Sequence, residues 1–151
     1  ERELRIRQQQ ETLKTKSFKA LKGQLPWPAD GRIISKFGRQ WNPKLKTTTE
    51  NPGIDIKGKP GSSIRTVLGG VVTTITYIRG YGTTIIVDHG GGFYTVYSHV
   101  TNIQTNVDSQ VRNGDVIAYM GDSGSINGSK LHFEIWGKGQ KLDPEKWLRK
   151  K

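Results

Sequence analysis

Apolar positions along this chain change their period once. Up to residue 22 there is no Gly or Pro. Sparse apolar residues (Leu4, Ile6, Leu13, Phe18, Leu21) stand among Arg, Gln, Lys and Glu, which predicts a helix over residues 1–22. The spacing Leu13–Phe18–Leu21 loosely fits a coiled-coil seam. The segment therefore reads either as the end of a longer coiled coil or as a solvated helix docked by Phe18 and Leu21. Gly23 ends it, dividing the chain into a helical extension (1–23) and a domain (24–151). In Leu25-Pro26-Trp27-Pro28 each proline drives its predecessor to an extended conformation. Beyond this point the apolar runs are short. Arg32–Phe37, Ile64–Leu68, Gly70–Tyr77, Thr83–Asp88, Phe93–His99, Asp115–Met120 and Leu131–Trp136 are predicted strands, with His89-Gly90-Gly91-Gly92 closing a hairpin. Residues 38–52 and 121–129, rich in Asn, Thr, Ser and Gly, read as loops. Short strands, Gly-rich turns and no intervening helix predict an antiparallel all-β domain.

Composition agrees with this outline. A chain of 151 residues suffices for one domain with a core and a short extension, and 19 Gly suit a turn-rich β-domain. The absence of Cys excludes a disulfide framework and a Cys-based zinc site. No apolar run reaches the length of a membrane span. No secretory leader is visible, and the start at Glu1 reads as a mature or excised product. The net charge of +11 favours polyanions or acidic partner surfaces. Both ends are basic, as solvated tails or as contact regions. Aromatic residues do not interleave with the basic ones in any segment, which argues against nucleic acid.

Three histidines are present: His89, His99 and His132. In Lys130-Leu131-His132-Phe133-Glu134-Ile135-Trp136, alternation assigns Leu131, Phe133 and Ile135 to the core. Lys130, His132, Glu134 and Trp136 then share the opposite face, either the floor of a polar groove or a solvent face. Asn51-Pro52-Gly53-Ile54-Asp55 offers Asn51 and Asp55 to one point, or is an ordinary turn. Tyr97-Ser98-His99-Val100 ends a strand, holding its side chains on a rigid element.

The order and spacing of these segments resemble the LytM/M23 metallopeptidase family. Its His-x-Gly-x-Asp corresponds to Asn51 through Asp55, its Tyr-x-His strand end to Tyr97 through His99, and its His-Leu-His-Phe-Glu to Lys130 through Glu134. Trp27-Pro28 with Gly31, Phe37-Gly38, Gly82, Asp88-His89-Gly90, Val111 with Gly114-Asp115, and Gly121 with Ser123-Gly124 extend the likeness over roughly residues 24–149. The resemblance implies a LytM-like antiparallel sheet with a central groove, zinc ligands at positions 51, 55 and 132, and catalytic histidines at 99 and 130. Two of these five positions depart from the pattern. Asn51 offers a neutral amide, a poor zinc ligand, and Lys130 brings a positive charge beside the metal position. The expectation is therefore a vestigial site (Asn51, Asp55, His132; His99, Lys130) without zinc or other cofactor, in which Lys130 contacts Asp55 directly or through water. Glu50, one residue from Asn51, is the alternative third ligand.

Degenerate LytM domains of the EnvC and NlpD type activate cell-wall amidases. The resemblance thus implies a non-catalytic, periplasmic or envelope-located regulator at division sites, partnered by a peptidoglycan amidase or by peptidoglycan. Arg39, Asn51, Tyr81, His99, Lys130, His132 and Trp136 are candidates for the groove lining. A zinc endopeptidase with an altered site and a murein-binding module are the alternatives.

Overall fold

A computed structural model describes residues 18–122, 125 and 128–151. Residues 1–17 of the helix predicted over 1–22 and the Ser123-Gly124 pair lie outside the described residues. Among the described residues thirteen strands are formed: β1 (Arg32–Ser35), β2 (Gly38–Asn42), β3 (Thr47–Asn51), β4 (Ile54–Lys57), β5 (Ser63–Arg65), β6 (Gly70–Ile78), β7 (Gly82–Gly90), β8 (Phe93–Ser98), β9 (Val100–Thr101), β10 (Gln110–Val111), β11 (Val116–Met120), β12 (Lys130–Gly137) and β13 (Gln140–Leu142). The largest sheet runs β1-β4-β12-β8-β7-β6-β10, with β13 added to β12. A second sheet runs β5-β11-β9, and β2 pairs with β3 alone. These strands pair antiparallel throughout.

The long strands form where β-branched and aromatic residues concentrate, as in Val71–Tyr77 and Thr83–Val87. Alternation on β12 is as expected: Leu131, Phe133 and Ile135 are wholly buried. They join Ile54 and Ile56 of β4, Ile85 and Val87 of β7, and Ile64 and Ile117 of the second sheet in one hydrophobic cluster. Tyr97 is also wholly buried. Its hydroxyl accepts from the Val67 amide (3.1 Å) and the Thr95 hydroxyl (2.8 Å), so no polar group is stranded there.

Residues 18–20 are helical. Phe18 has no exposed surface, stacks on Phe93 (ring centroids 4.7 Å apart) and lies 5.3 Å from Trp147, while Leu21 packs at the edge of the core. The amides of Gly23 and Leu25 both donate to the Trp147 carbonyl, and Arg149 N–H donates to Leu25 O. The segments around residues 23 and 148 thus run side by side beneath the sheet.

Three expectations need correction. Residues 38–52 are not a loop but carry the β2–β3 hairpin, built on β-branched Thr47, Thr48 and Thr49 and on a turn in which Asn42 Oδ1 accepts from the Lys44 and Leu45 amides. Strand pairing at 64–68 stops at Arg65. Thr66 instead makes backbone hydrogen bonds to Asp115 and Gly114, and the amides of Val67 and Gly69 donate to the Tyr97 hydroxyl and Asn113 Oδ1. A helical turn, Pro144–Trp147, follows β13; Asp143 caps it by accepting from Glu145 N–H.

Candidate functional site

Adjacent strands of the large sheet bring the singled-out residues together. Register sets Asp55 of β4 opposite His132 of β12, and His132 opposite Ser98 of β8. Ser35 of β1 faces Asp55 from the other side, and Thr84 of β7 faces Ser98. Of the row Ser35–Asp55–His132–Ser98–Thr84, the first three floor a cleft of about 370 Å³, and Ser98 and Thr84 continue the row into the buried sheet. Asn51, Tyr81, His99 and Lys130 line it as well. Ser35, Thr49, Pro52 and Gly80, which the sequence did not single out, complete the lining with Glu50. Arg39 and Trp136 do not line it: Arg39 sits on β2 opposite Glu50, and Trp136 extends the β12 row beyond Glu134.

Backbone geometry holds this arrangement. Gly53 allows β4 to lie close against β12, since a Cβ there would stand 2.1 Å from the Phe133 carbonyl oxygen. His99 is buried and adopts a positive φ of 64°, a conformation open to few non-glycine residues. It is pinned on both sides: its amide donates to Tyr81 O (2.8 Å), and its carbonyl accepts from Gly121 N–H (3.2 Å). The Tyr81 ring stands over the floor, 4.9 Å from the His132 ring and 6.5 Å from that of His99.

The floor residues form a line of alternating charge. Lys130 Nζ donates to Asp55 Oδ2 at 3.0 Å, so the expected contact forms directly. His132 Nδ1 stands 2.6 Å from Asp55 Oδ1, and its Nε2 stands 2.8 Å from Glu134 Oε2. Trp136 Nε1 donates to Glu134 Oε1 at 2.8 Å, and Lys141 Nζ lies 3.7 Å from the same oxygen. Both nitrogens of His132 therefore face carboxylate oxygens, an environment that demands two N–H donors. Burial opposes a charged imidazole, but the hydrogen bonds and charges of Asp55 and Glu134 together raise its pKa above the usual 6.5. Burial likewise opposes ionisation of Asp55 and Glu134. His132 and Lys130 nevertheless hold Asp55 below 3.8, and His132, Trp136 and Lys141 hold Glu134 below 4.5. Burial and the two carboxylates push the Tyr81 hydroxyl above 10.

Asn51 is engaged elsewhere. Its Nδ2 donates to Ser35 Oγ (2.9 Å) and its Oδ1 accepts from Gly53 N–H (3.1 Å), so the side chain shapes the turn into β4. Glu50 is exposed and makes no ion pair among the described residues. As a donor set for zinc these residues do not fit. The Asn51 amide is neutral and committed to the turn, both imidazole nitrogens of His132 face carboxylate oxygens, and Asp55 already faces the Lys130 ammonium.

A sheet-floored cleft with an Asp and a His on neighbouring strands, reached from a Gly-bent turn, is the architecture of the M23 peptidases, and the chain belongs to peptidase family M23, whose model matches residues 49–144. The murein hydrolase activator EnvC of Escherichia coli (strain K12) is 32% identical over 135 residues, covering 89% of this chain and 31% of that protein. The DD-carboxypeptidase/endopeptidase Mpg of Neisseria meningitidis serogroup B (strain ATCC BAA-335 / MC58) is 34% identical over 113 residues, covering 75% of this chain and 26% of that protein. The chain thus spans less than a third of the length of either relative. Among solved structures, a zinc-containing peptidase from Vibrio cholerae superposes with a TM-score of 0.75 at 22% identity, covering 85% of this chain and 41% of that one. That likeness establishes the fold. Among the described residues no helix is long and apolar enough to cross a membrane.

Proposed function

We propose that this chain is a non-catalytic M23 domain that regulates a peptidoglycan amidase in the cell envelope, its cleft holding a segment of that enzyme where a peptidase would hold substrate. The Lys130–Asp55–His132 chain carries this reading. An M23-type hydrolysis needs a metal held by three protein ligands with an open position, and the metal is what generates hydroxide near neutral pH. Here the Lys130 ammonium neutralises the Asp55 carboxylate, the charge that such a metal would otherwise offset. His99 then has no activated water to serve. The similarity to EnvC, a murein hydrolase activator, supports the amidase as partner and the periplasm as the setting.

Two measurements test this. The purified chain should contain substoichiometric zinc and release no dye from labelled sacculi alone, yet stimulate release by a purified N-acetylmuramyl-L-alanine amidase. Asn51→His/Lys130→His should gain stoichiometric zinc. A parent chain that carries stoichiometric zinc and cleaves murein by itself overturns the proposal. The similarity to Mpg favours that second reading, a zinc endopeptidase, and identity alone does not separate the two, because both relatives match about equally well. Cosedimentation with sacculi in the absence of any amidase effect would identify a murein-binding module instead.

A further inference from the structure

Beyond the cleft, the same face of the sheet carries a row of cations. Register sets Lys130 of β12 opposite Lys57 of β4, and Lys57 opposite Arg32 of β1. Residues directly opposite on neighbouring strands project from one face, about 5 Å apart. That face is the one bearing Asp55, two residues before Lys57; the intervening Ile56 is wholly buried on the other side. Three cations therefore stand in line across three strands and end at β1, the edge of the sheet. Lys130 is occupied by Asp55. Arg32 and Lys57 are exposed and form no ion pair among the described residues, and neither does nearby Asp30. Lys151 adds a fourth cation at this edge: its ammonium donates to Gly31 O and stands 4.4 Å from the centre of the Trp27 ring.

Like charges directly opposite each other weaken a sheet, and an anion laid across them relieves the repulsion. The hairpins that reach the cleft have a different character. Trp41 and Leu45 belong to the β2–β3 hairpin, whose β3 end lines the cleft, and are 61% and 70% exposed; Tyr77 and Ile78 of β6, just before the turn that carries Gly80 and Tyr81 into the cleft, are 66% and 38% exposed. Exposed apolar residues on these hairpins, with Tyr81 and Pro52 in the cleft and a cationic exit, match a polypeptide that has both apolar and acidic residues. A phosphate polymer gains little from Leu45 or Ile78.

We infer that Lys57 and Arg32 bind carboxylates of an acidic polypeptide segment that lies across the cleft and leaves over β4 and β1 at the sheet edge. The inference rests on the reading of the cleft as a protein-binding groove, and adds the chemistry of the partner and its direction of exit.

The test uses two fluorescein-labelled amphipathic peptides, one of Leu, Ala and Glu and a twin with each Glu replaced by Gln, followed by anisotropy at low and moderate salt. The parent should prefer the Glu peptide. Arg32→Gln/Lys57→Gln should weaken that binding about tenfold and flatten its salt dependence, leaving the Gln twin unaffected. Lys138→Gln/Lys146→Gln removes the same charge away from the cleft and should change affinity by less than about twofold. Both variants should melt no lower than the parent. Equal losses in the two variants would reduce the effect to net charge and overturn the inference. So would failure to prefer the Glu peptide, tighter binding of polyphosphate, or a loss for both peptides accompanied by a lower melting temperature. Amidase stimulation separates the two proposals. Its survival in Arg32→Gln/Lys57→Gln removes the row but not the regulatory reading. No stimulation by the parent removes that reading, while the anisotropy pair still decides the row.

Discussion

Replacing Lys130 with Met keeps the length of the stem and deletes only the ammonium. That ammonium lies 3.0 Å from Asp55, with the two side chains 12% and 14% exposed. Without it the carboxylate remains largely buried with His132 as its sole charged partner. Losing a hydrogen bond to a charged group costs about 1.5–3 kcal/mol, and stranding a buried charge completely costs about 3–5 kcal/mol. Because His132 stays in place, the lower range applies, and about 2 kcal/mol is expected for Lys130→Met. In a domain of this size each kcal/mol moves Tm by roughly 2–4 °C, so the variant should melt about 4–8 °C below the parent. Circular dichroism at pH 7, with and without excess zinc, measures this. Zinc should recover none of the loss and leave the parent unchanged. It should stabilise Asn51→His/Lys130→His by about 2.7 kcal/mol at a hundredfold excess over Kd. A Lys130→Met chain melting within about 1 °C of the parent would show that Asp55 does not depend on the ammonium. The account of lysine as the neutralising cation would then be wrong.

Three further outcomes follow from the same geometry. The raised pKa of His132 gives stability that is complete below 6.5 and lost as pH rises through the folded value. The lowered values of Asp55 and Glu134 give stability present above 3.8 and 4.5 and lost as pH falls through theirs. Urea midpoints should therefore peak between those limits, and His132→Gln should flatten the alkaline side; a parent midpoint still climbing at pH 8 would contradict the imidazolium. Gly53→Ala should destabilise by about 3 kcal/mol or more, because the added Cβ meets the Phe133 carbonyl at 2.1 Å, and a Tm equal to the parent's would contradict this. Phe18→Ala should cost about 3–5 kcal/mol, since the ring is wholly buried against Phe93 and Trp147, and denaturation midpoints measure it.

What the sequence reveals here depends on which physical signal each part carries. The core face of β12 is legible because Leu131, Phe133 and Ile135 alternate with polar residues, and one side of the sheet is dry. The β2–β3 hairpin is not, because its residues are mostly exposed on both faces and leave no apolar period to detect. The same contrast holds at the cleft. Asn51, Asp55, His99, Lys130 and His132 stand in spaced motifs and can be found along the chain. Ser35, Thr49, Pro52 and Gly80 reach the cleft only through cross-strand register and turn geometry, which short polar segments do not specify. Arg39 and Trp136 show the converse. Each lies on an element that borders the cleft, but position along a strand does not fix which side chains reach its lining.

The charge count of the floor explains how one substitution can leave the architecture intact. A divalent metal brings two positive charges against the carboxylates beneath it. Here Lys130 supplies one against Asp55, and His132 lies between Asp55 and Glu134, which together raise its pKa and favour a second positive charge. Each of these four groups has its neighbour in the line within 3.0 Å. Lysine at position 130 therefore does more than delete an imidazole. It anchors Asp55, Asp55 favours the protonated form of His132, and His132 in turn holds Glu134. Each link makes the next charge less costly to bury, which a neutral residue at position 130 would not do. Tyr81, its ring over His132, caps this line from the cleft side, so a ligand entering the cleft meets an aromatic surface and a balanced floor. The unbalanced charge begins two residues beyond Asp55 on the same strand, at Lys57.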